Sequence, residues 1–153
     1  MEKSLKAEEK IIIYINYQIK IPDDKFTGYG VNSNNRIFFR DFFISLNPFI
    51  NDKWILQSNL GLRDNSNISS SYLINWTYPE SYNLVSNLNQ TDINKSFKDW
   101  YKSTKWEASN LSSPEFIFDE EDNFQTISFD DQFTIVTDII PNKNSEVDIE
   151  QSL

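Results

Sequence analysis

Residues Ser71 to Tyr78 alternate, with Tyr72, Ile74, Trp76 and Tyr78 on one set of positions and Asn75 and Thr77 on the other. A period of two puts the rings on one face of a pleated strand and the amides and hydroxyls on the opposite face. Such a segment cannot bury its apolar side alone and must join a sheet. The same period recurs near the N-terminus, where Ile11, Ile13, Ile15, Tyr17, Ile19 and Ile21 share a face and Tyr14, Asn16, Gln18 and Lys20 share the other. It recurs again in Phe133, Ile135, Thr137 and Ile139. Both segments read as half-buried strands.

Turn formers separate these runs. Pro22-Asp23-Asp24 ends the first, Asn47-Pro48 the second and Pro79 the strand at 71–78. Gly28 and Gly30 fall in a polar loop that runs to Asn35. Arg36 to Leu46, rich in Phe and Ile, fits a strand, although Phe38, Phe39, Phe42, Phe43 and Leu46 also make a helical stripe. Lys53 to Arg63 reads as a strand with Trp54, Leu56, Leu60 and Leu62 inward. Glu115 to Asp119, Phe124 to Phe129 and Gln132 to Ile140 read as further strands, with turns at Glu120–Asn123 and Asp130-Asp131.

One segment has a different period. Ile93, Phe97, Trp100 and Tyr101 fall at i, i+4, i+7 and i+8, Thr91 or Asp92 stands where a cap is needed, and Lys95, Lys98, Lys102 and Lys105 line another side. This predicts an amphipathic helix over about 91–109, with Trp106 near its end between Lys105 and Glu107 and therefore at the surface. The fold class expected is α+β: mainly antiparallel β, as a sandwich or strongly twisted sheet, with that one helix. Residues 1–141 read as a single globular domain and 142–153 as a polar acidic tail.

The core must be built from rings. Hydrophobic residues make up 39% of the chain and mean hydropathy is −0.54, but 12 Phe, 7 Tyr and 4 Trp offset the small aliphatic share. Cys and His are both absent. That excludes disulfides, thiolate nucleophiles, Cys- or His-ligated metal centres and serine or cysteine triads that need an imidazole. No cofactor and no metal site is expected. Catalysis would rest on carboxylates, Lys or Tyr, and Asp41 beside Phe42 and Phe43 is the acid within the most apolar run. The glycines form no phosphate-binding loop. No apolar run reaches membrane-spanning length and no secretory leader is evident, so the chain reads as cytoplasmic with no membrane partner.

The charge is segregated along the chain. From Pro114 to Leu153 eleven acids face the single base Lys143, a local charge of −10, whereas the first 113 residues carry +1. An acidic surface of this kind attracts basic partners and repels polyanions, so direct nucleic-acid binding is not expected. The candidate partner-binding residues are Asp119, Glu120, Glu121 and Asp122 at one turn, Asp130 and Asp131 at the next, and Trp106 as an aromatic anchor. The function expected is that of a non-enzymatic acidic inhibitor of a basic protein. Its most concrete form is a bacterial immunity protein against the nuclease domain of a toxin, whose active site is basic because it binds phosphates. The alternatives are a β module that binds a sugar or apolar small molecule, and a phage inhibitor that mimics nucleic acid.

Overall fold

The alternation at 71–78 becomes β5 (Ser70–Pro79), in which Tyr72, Ile74, Trp76 and Tyr78 turn inward while Leu73, Asn75 and Thr77 face solvent. The computed structural model describes residues 6, 8–44, 47–55, 68–95, 100–121, 124–129 and 133–137. Every regular element among them is a strand. Before β5 come β1 (Gly30–Val31), β2 (Ile37–Arg40), β3 (Phe49–Ile50) and β4 (Lys53–Trp54). After it come β6 (Asn83–Ser86), β7 (Asn89–Lys95), β8 (Tyr101–Leu111), β9 (Glu115–Asp119), β10 (Gln125–Phe129) and β11 (Phe133–Thr137).

The strands form two principal sheets, ordered β1-β2-β9-β6 and β5-β8-β7, and two hairpins, β3-β4 and β10-β11. All strand pairs are antiparallel. The sheets meet face to face through rings. Trp76 of β5 lies 5.5 Å from Phe39 of β2, and 5.3 and 5.2 Å from Phe116 and Phe118 of β9. Tyr78 and Trp106 complete the layer at 5.2 Å from Phe118 and 6.0 Å from Phe116. Phe116 has no exposed surface. Burying one such ring contributes about 1.5–3 kcal/mol, and each edge-on ring pair about 0.5–1.5 kcal/mol more. The predicted reliance on aromatic residues is therefore how this core is made.

The helix expected over about 91–109 is absent among the described residues of that segment, which form β7 and β8; these pair in register from Asn89↔Glu107 to Lys95↔Lys102 with a bulge between Gln90 and Asp92. The α+β assignment is corrected accordingly: the described structure is all strand. The helical stripe came from counting apolar positions across two strands. Ile93 and Trp100, two of its members, are 64% and 79% exposed. The period that counts lies within β8, where Thr104 and Trp106 are buried with Ala108 beside them, while Ser103, Lys105 and Glu107 alternate. Hydroxyl residues such as Thr91, Ser103, Thr104 and Ser109 also suit strands and edges better than helix interiors.

The segment from Ile11 to Ile21 is corrected too. It joins no sheet among the described residues, and Ile11 to Lys20 are all exposed. Alternation told which side would be buried, not what would bury it. The strand predicted over Arg36–Leu46 shortens to β2 among the described residues, and the described part of Lys53–Arg63, which ends at Ile55, holds β4, with Trp54 57% exposed against Phe49 across a tight hairpin. Leu56, Leu60 and Leu62 lie outside the described residues, as does the tail at 142–153.

Of the two described glycines, Gly30 is the one whose lack of a side chain the packing demands. It sits at φ 121°, and a Cβ there would fall 2.2 Å from the Pro22 carbonyl oxygen. Residues 22–24 run beside β1 that closely because Val31 donates its N–H to Pro22 O at 2.9 Å and Asp24 donates to Val31 O at 3.1 Å, a parallel bridge between Asp23 and Val31.

Candidate functional site

The acidic stretch expected at a hairpin tip begins instead at the end of a central strand. β9 lies between β2 and β6, whereas β10 pairs with β11, so Glu120 and Glu121 leave one sheet without returning into it. The register Ile37↔Phe118 sets Arg36 next to Asp119 on the β2–β9 ladder. Arg36 Nε donates to Asp119 Oδ2 at 2.8 Å, and its Nη2 reaches the same oxygen. The second oxygen, Oδ1, accepts the backbone N–H of Glu121 at 3.1 Å. Asp119 is only 4% exposed, so this carboxylate is an internal anchor and not a docking residue. A buried charge persists only when paired and hydrogen-bonded, and both conditions are met here.

That anchor shapes the chain beyond it. The Arg36 guanidinium carbon also stands 5.4 Å over the Phe124 ring, tying the residue before β10 to β2. Glu120 and Glu121 project to the surface from the bend held by Asp119. The Tyr82 phenol is held above its ordinary range, first by burial and then by the negative charge of Glu120. Asp122, Asp130 and Asp131 lie outside the described residues.

A second ion pair closes the other end of the same ladder. Arg40 and Glu115 are register partners, with Arg40 Nε 3.1 Å from Glu115 Oε1. Arg40 Nη1 also donates to the Tyr29 hydroxyl at 2.5 Å. Asp41 sits at this end, exposed, at φ 56°, accepting from Ser113 Oγ at 2.9 Å. It faces arginine and serine, not the apolar pocket that its Phe neighbours suggested. Two of the eleven acids of the C-terminal segment, Glu115 and Asp119, are thus matched by the two arginines that bracket β2.

Trp106, expected at the surface, is 4% exposed, and its Nε1 donates to the Thr104 hydroxyl at 2.8 Å. It belongs to the core. Trp100, expected inside on the helical stripe, is the exposed tryptophan of the pair. The short alternation Thr104, Trp106, Ala108 was the sequence signal that would have reversed these two placements.

Two concavities accompany the acidic bend. A groove of about 650 Å³ on the three-stranded sheet is lined by Ser71, Leu73, Asn89, Thr91, Glu107 and Ser109 among others. A cleft of about 330 Å³ lies between Tyr78, Asn83, Gln90, Lys102 and Thr104 on one side and Phe124, Thr126 and Val136 on the other. There the Lys102 ammonium stands 5.3 Å over the Tyr78 ring, and burial lifts the Tyr78 phenol above its ordinary range despite its bond to Thr104. The groove contains a single acid, Glu107, held 2.8 Å from Lys105, and the cleft lining contains none among the described residues. Among the described residues no group of three or more acids could hold a metal ion. No helix among them is long and apolar enough to cross a membrane.

Compared with known proteins, the chain matches no family model, no curated protein and no solved structure.

Proposed function

We propose that this chain is a non-enzymatic inhibitor that binds and neutralises a basic protein in the cytoplasm, most concretely an immunity protein against a nuclease-type toxin. The observation that carries the reading is the disposition of the acidic segment. Arg36 and Arg40 match Asp119 and Glu115 within the fold, and the chain then leaves the sheet at the exposed pair Glu120 and Glu121. Seven further acids come after them in sequence, against one lysine. A surface of this sign competes with phosphates for a nuclease site and speeds encounter with it, and it needs no catalytic group.

The partner-binding set is accordingly Glu120 and Glu121, with Asp122, Asp130 and Asp131 beyond them in sequence. Asp119 serves as their anchor and Trp106 as core. The test is capture from cells that naturally carry the chain, using the full-length protein as bait and identifying what is retained by mass spectrometry. The reading expects a basic protein released by high salt. Retention of acidic or neutral proteins alone, unaffected by salt, would contradict it.

A further inference from the structure

We propose that the segment from Ile11 to Ile21 adds as an extra strand to the edge of β5 that no described strand pairs, in a second copy of this chain, so that two copies exchange strands reciprocally. The starting point is a mismatch between pattern and environment. The segment has a strand's alternation but belongs to no strand, and Ile11, Ile13, Ile15 and Tyr17 are 63%, 55%, 52% and 51% exposed. A contiguous apolar run of this size on a surface marks an interaction site. A segment with a strand's alternation can add to a sheet edge through its backbone N–H and C=O groups.

The same chain carries an edge that fits. β5 is the outer strand of its sheet, and among the described residues only β8 pairs with it. It spans ten residues, close to the eleven of Ile11–Ile21. When the two are centred on each other with the faces matched, Asn16 falls opposite Asn75 whether the strands run parallel or antiparallel. In both senses Ile13, Ile15, Tyr17 and Ile19 then meet the inward face formed by Tyr72, Ile74, Trp76 and Tyr78. The outward faces match as well, with Tyr14, Asn16 and Gln18 beside the exposed Leu73, Asn75 and Thr77. Charge agrees at the ends. Lys10 and Lys20 flank the segment, so either sense brings a lysine to the end of β5, where exposed Glu80 stands. Reciprocal exchange doubles the surface that one strand covers, toward the roughly 1,200–2,000 Å² of a stable interface. It also explains why a segment with so regular an alternation pairs with no strand among the described residues of a single copy.

The absence of cysteine gives a clean test. Full-length Asn16→Cys chains are mixed with full-length Asn75→Cys chains and oxidised, and analytical ultracentrifugation of the unaltered chain is run alongside at about 100 µM. The proposal expects a dimer, a mixed disulfide between the two variants well above what either forms alone, and a monomer when Ile13 and Ile15 are both changed to Pro. Circular dichroism of the proline variant reports whether the sheets remain, and the disulfide experiment stands independently of it. A monomeric unaltered chain, a folded proline variant that still dimerises, or single-cysteine variants that cross-link as readily as the mixture would each overturn the proposal. So would a disulfide that forms within the double-cysteine chain but not across the mixture.

Discussion

Arg36 and Asp119 face each other across the β2–β9 ladder, the guanidinium Nε 2.8 Å from a carboxylate that has almost no contact with water. Arg40 and Glu115 make the equivalent pair four residues away, at 3.1 Å but in the open, with side chains 43% and 33% exposed. The two pairs fix one register from both ends. Their surroundings make their energetic weights different.

Removing Asp119 takes an acceptor away from a partly buried arginine and from the Glu121 N–H. Asp119→Ala is expected to cost about 2–3 kcal/mol. Glu115→Ala should cost under about 1 kcal/mol, because water screens the exposed pair. Urea denaturation of both variants measures the difference; equal costs would mean that burial does not govern these pairs.

The tryptophans should report their exchanged positions. In single-tryptophan variants, with the other three replaced by Phe, acrylamide should quench Trp100 several-fold more efficiently than Trp106, following 79% against 4% exposure. Trp106→Ala should cost about 3–5 kcal/mol, and Trp100→Ala should fall within about 0.5 kcal/mol of the unaltered chain. A readily quenched Trp106 would return β8 to the surface helix that its apolar spacing suggested.

How much was legible depends on the forces that fix each element. β5 and β9 were readable because both are partly or fully covered on one face by rings, so Tyr72, Ile74, Trp76, Tyr78, Phe116 and Phe118 carry the pattern without ambiguity. β8 was not, because its buried face includes Lys102 and Thr104, whose polar atoms are satisfied by a ring and by Trp106 Nε1. The β3–β4 hairpin had a signal that is weaker than Asn-Gly. Its Asn51-Asp52 turn places both residues at positive φ, 51° and 59°. The acidic stretch was legible as charge, but its fate within the fold depended on Arg36 lying 83 residues away in sequence, a pairing that no local pattern contains.

Alkaline pH offers a separate test of the cleft. Burial raises the Tyr78 phenol, so the folded state holds that proton more tightly than the unfolded chain, whose tyrosines titrate near about 10. Its share of stability is complete below about pH 10 and is lost as pH climbs through the folded value. Tyr78→Phe should cost about 1 kcal/mol at pH 8 through the lost bond to Thr104. The variant should also lose less stability than the unaltered chain as pH is raised above about 10. Parallel losses would show that Tyr78 is not what titrates.

Gly30→Ala tests the close approach of residues 22–24 to β1. The added methyl would collide with a carbonyl oxygen at an unfavourable φ, so the variant should lose roughly 1–3 kcal/mol. Gly28→Ala, also at positive φ but with open space around the new carbon, should lose less. Similar losses at both sites would remove the steric argument.

The most direct measurement for the account as a whole is the rate at which the chain associates with the basic protein it captures, measured by stopped-flow fluorescence at about 50 and about 500 mM salt. Steering by the acidic segment predicts association at least about tenfold slower at the higher salt. It also predicts a several-fold slowing at low salt when Glu120 and Glu121 are both changed to Gln, with unaltered stability. A rate indifferent to salt and to both substitutions would contradict the claim that this charge brings the partner in.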